Sequence, residues 1–466
     1  AVGREGPIIQ IGSALGSTLG QLIRMPPGQR IILVAAGSGA GIAATFNTPI
    51  GGVMFAIELM MPEVSARTFL PVAIATGVAT FVGQFFFGPE PAFTVPSLTP
   101  LSVNTSSAIL LGLYAALGVI VGLAAAAFVR GLILLEDLFE HVANRYLRHA
   151  LGMTLVGVLM YGFFRGFGHY FVDGVGYSTI QAILVGHLSA VTLLLLLFGG
   201  KLLATTLSLG SGSSGGIFSP SLFMGATIGA VFAAGLTALH LPLALDIPSF
   251  AMVGMGAMVG GATGAVMTAI TMIFEMTRDY NMVLPMILAV AFSVGVRRVL
   301  SRESIYTLKI YRRGHVLPKS LHANMFLVRR ARDVMISDVV LAPADESVEA
   351  FMALPERLGQ QRHVVVVDGE RILGVLQVTT SLLQAASRAA ETPPTLGDVV
   401  SRRYCVVREG DIVFDVIRRM WRMGATMALV VRPTDTPTAK DVLGVITKEQ
   451  VADSVAGSVN VYATGD

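Results

Sequence analysis

The chain has 466 residues, 53% of them hydrophobic and only 14% charged, with a mean hydropathy of +0.70; an ordinary soluble chain carries roughly 25% charged residues. This balance excludes one large soluble domain, in which apolar stretches would alternate with charged faces. The formal net charge of +3 singles out no class of partner and no nucleic acid is expected, while the single cysteine, Cys405, excludes an intrachain disulfide and a cysteine metal cluster.

The chain opens on Ala1 with no charged-then-apolar leader, and is read as lacking its natural beginning. Gly-Arg-Glu-Gly-Pro at residues 3–7 comes first, followed by an apolar run of helical character. Proline suits a first helical turn because its missing N–H would be unpaired there anyway, and the flanking glycines let backbone approach a ligand closely. Glu5 therefore sits at a helix start with apolar sequence after it. An ionisable group at membrane depth is functional by default, and the bland alternative is a carboxylate that caps its own helix. Arg4 either pairs with Glu5 or faces water.

Helical tracts follow in series. Thr68 to Pro89, Pro91 to Val129, Leu202 to Leu245 and Ile247 to Phe274 contain no Asp, Glu, Lys or Arg, and a membrane span needs only about 20 apolar residues. Several helices must cross or enter a bilayer. Gly37–Glu58 aligns without gaps on Gly254–Glu275, matching Gly37 with Gly254, Gly39 with Gly256, Ala40 with Ala257 and Glu58 with Glu275. Each copy lies roughly thirty residues after a glycine-rich motif that ends in proline, and paired halves with broken helices are a transporter plan. The second such motif is Gly210–Pro220, which contains Gly215, Gly216, Ile217 and Phe218. Two helix starts of this kind, each carrying about half a positive charge, would stabilise a dehydrated anion without burying a full cation. Glu58 and Glu275 read equally as carboxylates that merely end helices, and Phe218 by itself reads as core.

Basic residues cluster where the apolar part ends, from Arg297 and Arg298 through Arg312 and Lys319 to Arg330, which places this end in the cytosol. Tyr306, in this region, reads as an interfacial anchor on composition alone. Beyond about Arg329 charges become dense and a plan repeats. Arg332–Met335, His363–Val367 and Gly374–Gln377 form one block; Leu396–Val399, Ala428–Val431 and Gly444–Thr447 form the other, across a proline-containing linker at Glu391–Thr395. The expected divisions are a membrane part over 1–321 and small α+β modules over 329–388 and 394–457.

On these motifs, with Ala35–Gly52, Phe55–Glu58 and Phe274–Asn281, the chain resembles the CLC family of chloride channels and proton/chloride antiporters, with tail blocks similar to tandem CBS domains. The resemblance covers nearly the whole chain. It implies an all-α multi-pass membrane domain built as an inverted repeat with broken helices, in the plasma (inner) membrane, forming a homodimer with one anion pathway per subunit, and no enzyme activity. Carried over by residue, it implies that Glu5 is the gate and that Gly6, Ile217, Phe218 and Tyr306 bind chloride. Gly3, Arg4, Pro7, Gly215, Gly216 and Pro220 would shape the selectivity loops, and a Gly-Ser-Gly-x-Pro loop would precede Ala1.

Two departures stand out. Leu59 occupies the position of the inner proton glutamate of antiporters and favours uncoupled or weakly coupled conduction, with proton/chloride antiport as the alternative. Ser214 replaces a proline and bears on the ranking of halides and nitrate. In the tail, Gln377 and Thr380, then Thr447 and Gln450, stand where nucleotide-binding CBS domains carry a hydroxyl residue and an Asp, so adenine nucleotide is doubtful and no cofactor is expected. No metal-ligand spacing occurs. A CBS-regulated cation carrier is a remote rival that the charge-free tracts disfavour.

Overall fold

In hydrocarbon every backbone N–H and C=O must be paired within its own segment, so the charge-free tracts have little choice but helix. The computed structural model describes residues 1–61, 64–95, 105–239, 245–301, 303–312, 329–353, 363–377, 394–434 and 437–451. Two units are separate, Ala1–Leu317 and Pro318–Asp466. Thr380, the linker residues 391–393 and the expected boundaries at 321, 388 and 457 lie outside the described residues.

The first unit is helical: α1 (Glu5–Leu22), α2 (Pro27–Phe46), α3 (Pro49–Phe55), α4 (Ala66–Phe87), α5 (Thr105–Glu140), α6 (Arg145–Phe167), α7 (Tyr177–Leu184), α8 (Val191–Gly210), α9 (Phe218–Ala238), α10 (Ile247–Thr263), α11 (Val266–Thr277), α12 (Val283–Leu300) and α13 (Ile305–Arg312). Among the described residues, seven helical stretches, at α2, α4, α5, α6, α8, α9 and α12, are long and apolar enough to cross a membrane.

The internal repeat is built into the packing. A Cβ on Gly12 of α1 would overlap the backbone of Gly37 in α2, and a Cβ on Gly225 of α9 would overlap that of Gly254 in α10. Gly16 against Leu33 and Gly229 against Phe250 repeat the pattern one turn on. Without a hydrophobic drive between helices in lipid, such close backbone approach is what gains dispersion energy. Both inner helices then break at matching places. Asn47 (φ 59°) ends α2 and Gly264 (φ 80°) ends α10, each in the left-handed region, which Gly and Asn reach most readily. The chain restarts as α3 and α11, and α3 finishes in one π-helical turn, Ala56–Met60.

The two glutamates of the repeat do more than end helices at a surface. Glu58, in the π turn, accepts from the N–H groups of Val266 (2.7 Å), Met267 (3.2 Å) and Thr268 (2.9 Å) and from the Thr268 hydroxyl (2.9 Å), all at the start of α11. Glu275, on α11, accepts from Ile50 (3.0 Å) and Gly51 (2.7 Å) at the start of α3. Each half thus caps the broken helix of the other, satisfying donors that a helix start leaves open.

The second unit holds two three-stranded sheets, β1 (Val339–Pro343), β2 (His363–Asp368) and β3 (Arg371–Gln377), then β4 (Tyr404–Arg408), β5 (Met427–Val431) and β6 (Val442–Thr447). In each, the first pair is parallel and the second antiparallel, with a register shift at the same point, Val366/Val367 and Val430/Val431. The segments leading into the sheets are exchanged: Ile336 pairs with Val445 on β6, and Ser401 pairs with Val375 on β3. Val365, Val375, Met427, Leu429 and Val445 form a core between the two sheets. These are two small α+β modules of the same plan, as the repeated blocks of the tail lead one to expect.

His363 on β2 is buried, and its Nδ1 has no hydrogen-bond partner among the described residues. Burial holds its pKa below the usual imidazole value of 6.5, against an opposing pull from Glu449. The unfolded chain therefore takes up the proton first as pH falls, so the contribution of this group to stability is complete above about pH 6.5 and is lost below it. The urea midpoint for unfolding of this unit is expected to be lower at about pH 5.5 than at about pH 7.5, and His363→Phe should remove that difference. Equal midpoints in the parent would contradict it.

Candidate functional site

Gly3 and Gly216 lie opposite each other as an antiparallel bridge, Gly3 N–H to Gly216 O at 2.8 Å and Gly216 N–H to Gly3 O at 2.7 Å. This pair joins the two motifs that sequence singled out and brings the starts of α1 and α9 together. A Cβ on Gly6 would stand 2.9 Å from the Gly216 Cα, and one on Gly215 would press into the Val2 side chain. Only glycine allows that approach. Pro7 and Pro220 lie in the first turns of α1 and α9, where a missing N–H costs nothing.

Glu5 is the first residue of α1 and is fully buried. Its side chain makes no cap to its own helix. Oε1 instead accepts from the hydroxyl of Tyr177, at 2.8 Å, and from the hydroxyl of Ser219 in the first turn of α9. Oε2 is buried with no hydrogen-bond partner among the described residues. A buried oxygen of a carboxylate left without a donor is costly, and it lies among the glycines: a Cβ on Gly216 would be 3.3 Å from it. The carboxylate therefore spans from one helix start to the other, as a small anion held between them would.

The remaining expected residues fall as follows. Ile217 precedes α9 and Phe218 opens it; both are buried, and no turn of helix precedes them to take up their N–H groups. Phe218 packs on Phe46 at 5.3 Å between ring centroids. Tyr306, on α13, packs against the main core and is close enough to Glu5 to interact with it electrostatically. Arg4 is exposed, with its guanidinium 5.9 Å above the ring of Tyr177. Ser214 is exposed, and Leu59 packs against the core. In the tail, the Thr447 hydroxyl accepts from Gln450 N–H at 3.1 Å and the Gln450 amide donates to Val334 O.

Two partners of Glu5 were missed from sequence. Ser219 lies inside the quoted motif but carries an unremarkable hydroxyl; Tyr177 lies 172 residues from Glu5. The available signal was Gly174 and Gly176 just before Tyr177, a glycine turn like those ahead of the two motifs.

Residues 1–298 match the family described as Voltage gated chloride channel. The H(+)/Cl(-) exchange transporter ClcA of Salmonella agona is 32% identical over 314 residues, covering 66% of this chain and 64% of that protein, and ClcA of Salmonella typhimurium matches to the same extent. The chain thus spans less than two thirds of the length of these curated relatives. Among solved structures, a slow cyanobacterial Cl-/H+ antiporter is similar at 27% identity with a TM-score of 0.60, over 67% of this chain and 72% of that one. A eukaryotic CLC transporter shares the fold over 96% of this chain and 76% of its own, at 20% identity and a TM-score of 0.59. With its helices broken in pairs, its two glycine-rich helix starts meeting around Glu5 and this match over residues 1–298, the chain is an integral membrane protein that belongs to the voltage gated chloride channel family.

Proposed function

We propose that this chain carries chloride-class anions across a membrane in exchange for protons, with Glu5 as the group for which anion and proton compete. One observation carries the reading: a fully buried carboxylate that bridges two helix starts through hydroxyl donors and leaves its own helix uncapped. Ionised, Glu5 fills the place of an anion; protonated, it loses its attraction for the helix starts and vacates that place. Ile217, Phe218, Gly6 and Tyr306 then face the anion in its stead, presenting N–H and O–H donors with no full positive charge among them. Binding of that kind is strong enough for entry and weak enough for exit.

Exchange is favoured by the relatives, which are named as exchangers and antiporters. A second reading, uncoupled conduction, is favoured by Leu59, which offers no proton-binding atom, and by Glu58 beside it. A carboxylate has about four acceptor positions, and Glu58 accepts four hydrogen bonds at the start of α11. It is poorly placed to stand in as a relay. The two readings separate in liposomes: an imposed chloride gradient is expected to drive protons uphill at a fixed ratio, and proton movement that merely follows the voltage would leave uncoupled conduction. The division into 1–321, 329–388 and 394–457, the homodimer, the plasma (inner) membrane and the cytosolic tail belong to the same proposal. The basic run around Arg297 and Arg298 supports the orientation.

A further inference from the structure

Lys201 is the one Asp, Glu, Lys or Arg between Asp173 and Asp246. It sits midway along α8, a helix fit to cross the membrane, and is fully buried. A lone ammonium there costs several kcal/mol by most scales unless it is solvated by protein. Here Nζ donates to the carbonyl oxygens of Gly174 (2.9 Å) and Val172 (3.2 Å) and stands 5.0 Å from the centroid of the Phe223 ring.

Both carbonyls belong to the turn between α6 and α7. That turn bends through Gly174 (φ 44°) and Gly176 (φ 79°), and Gly176 precedes Tyr177, whose hydroxyl bonds to Glu5. A Cβ on Gly176 would stand 2.6 Å from the Phe223 ring and 3.4 Å from Lys201 Nζ, so turn, ring and ammonium pack as one. The ammonium also interacts electrostatically with the carboxylates of Asp173 and Glu5.

We propose that Lys201 is a positioning residue for the gate, pinning the Val172–Gly176 turn so that Tyr177 meets Glu5, and favouring the ionised, seated carboxylate by its charge. The inference rests on Glu5 being the gate. The polar and charged groups facing Glu5 are Arg4 beside it, Tyr177 on α7, Lys201 on α8 with Asp173 opposing it from the turn, Ser219 on α9 and Tyr306 on α13. Arg4 is exposed and screened by water, whereas Lys201 is not.

The test is chloride efflux from liposomes as a function of pH for the parent, Lys201→Met, Lys201→Arg and Tyr177→Phe, with Glu5→Gln as control. Lys201→Met is expected to move the midpoint of acid activation up by about one pH unit, tenfold in proton concentration, the order by which a neighbouring opposite charge shifts a carboxylate. Lys201→Arg should keep the parent midpoint, and Tyr177→Phe should move it upward. A lysine that merely held the fold would lower the rate at every pH and leave the midpoint alone. An unmoved midpoint in Lys201→Met, or an equal shift in Lys201→Arg, overturns the inference while Glu5→Gln still abolishes the pH response. If Lys201→Met does not fold, an unmoved midpoint in Tyr177→Phe overturns it. If Glu5→Gln leaves the pH response intact, the gate reading has failed instead.

Discussion

Glu5→Gln is expected to leave chloride efflux running at nearly the same rate in acid and at neutral pH, whereas the parent should run several-fold faster in acid. Glutamine matches glutamate in size and its carbonyl can still accept from Tyr177 and Ser219, so the site should survive the change. What disappears is the charge that makes the side chain a rival for the anion and the proton that it carries. Chloride-driven proton movement should therefore vanish in the same variant. Paired chloride and proton flux measurements in liposomes check both points, and a variant that keeps the acid response of the parent would remove Glu5 from the gate.

The second large effect is on stability. Glu58→Ala strips three N–H groups and one hydroxyl at the start of α11 of their acceptor, whereas Glu275→Ala strips two N–H groups at the start of α3. The Met267 and Ile50 N–H groups are exposed and can turn to water, which leaves two sheltered N–H donors for Glu58 and one for Glu275; a sheltered donor left unsatisfied costs about 1–3 kcal/mol, so losses of about 2–6 kcal/mol and about 1–3 kcal/mol follow. Thermal unfolding of the purified protein in detergent should show both variants below the parent, with Glu58→Ala the lower, and Glu58→Gln in between because its amide oxygen keeps part of the cap. The reverse order, or no change, would mean that water takes over the caps. The experiment also separates this role from transport: a glutamate that relays protons would lower coupling without lowering the unfolding temperature.

Much of the architecture was legible in the residues. Tracts without charge can only be helices in lipid, a proline following glycines marks a helix start, and the gapless alignment of Gly37–Glu58 on Gly254–Glu275 carried through to the packing: the aligned Gly37 and Gly254 each take a glycine from the preceding helix. The tail repeat was equally plain, because a short apolar run rich in valine, followed by a Gly-Val segment, recurs in both blocks. These features are local, or repeat locally, and a periodicity can be read without knowing what it packs against.

What lay beyond the sequence was every pairing across the fold. Glu58 and Glu275 read as isolated carboxylates ending helices, yet each finds its donors more than two hundred residues away, on the other half of the repeat. Tyr177 is marked only by the glycines just before it and Ser219 by nothing beyond its motif, and Lys201 is a single charge in an otherwise apolar stretch whose partners the sequence does not show. By itself the sequence determined where helices start, break and repeat, because backbone pairing in hydrocarbon and the conformational freedom of glycine are properties of short segments. Only the tertiary structure decided which donors meet Glu5 and which helix starts the other carboxylates cap, because a hydrogen bond requires approach to about 3 Å and that approach is set by the packing of α1 on α2 and of α9 on α10.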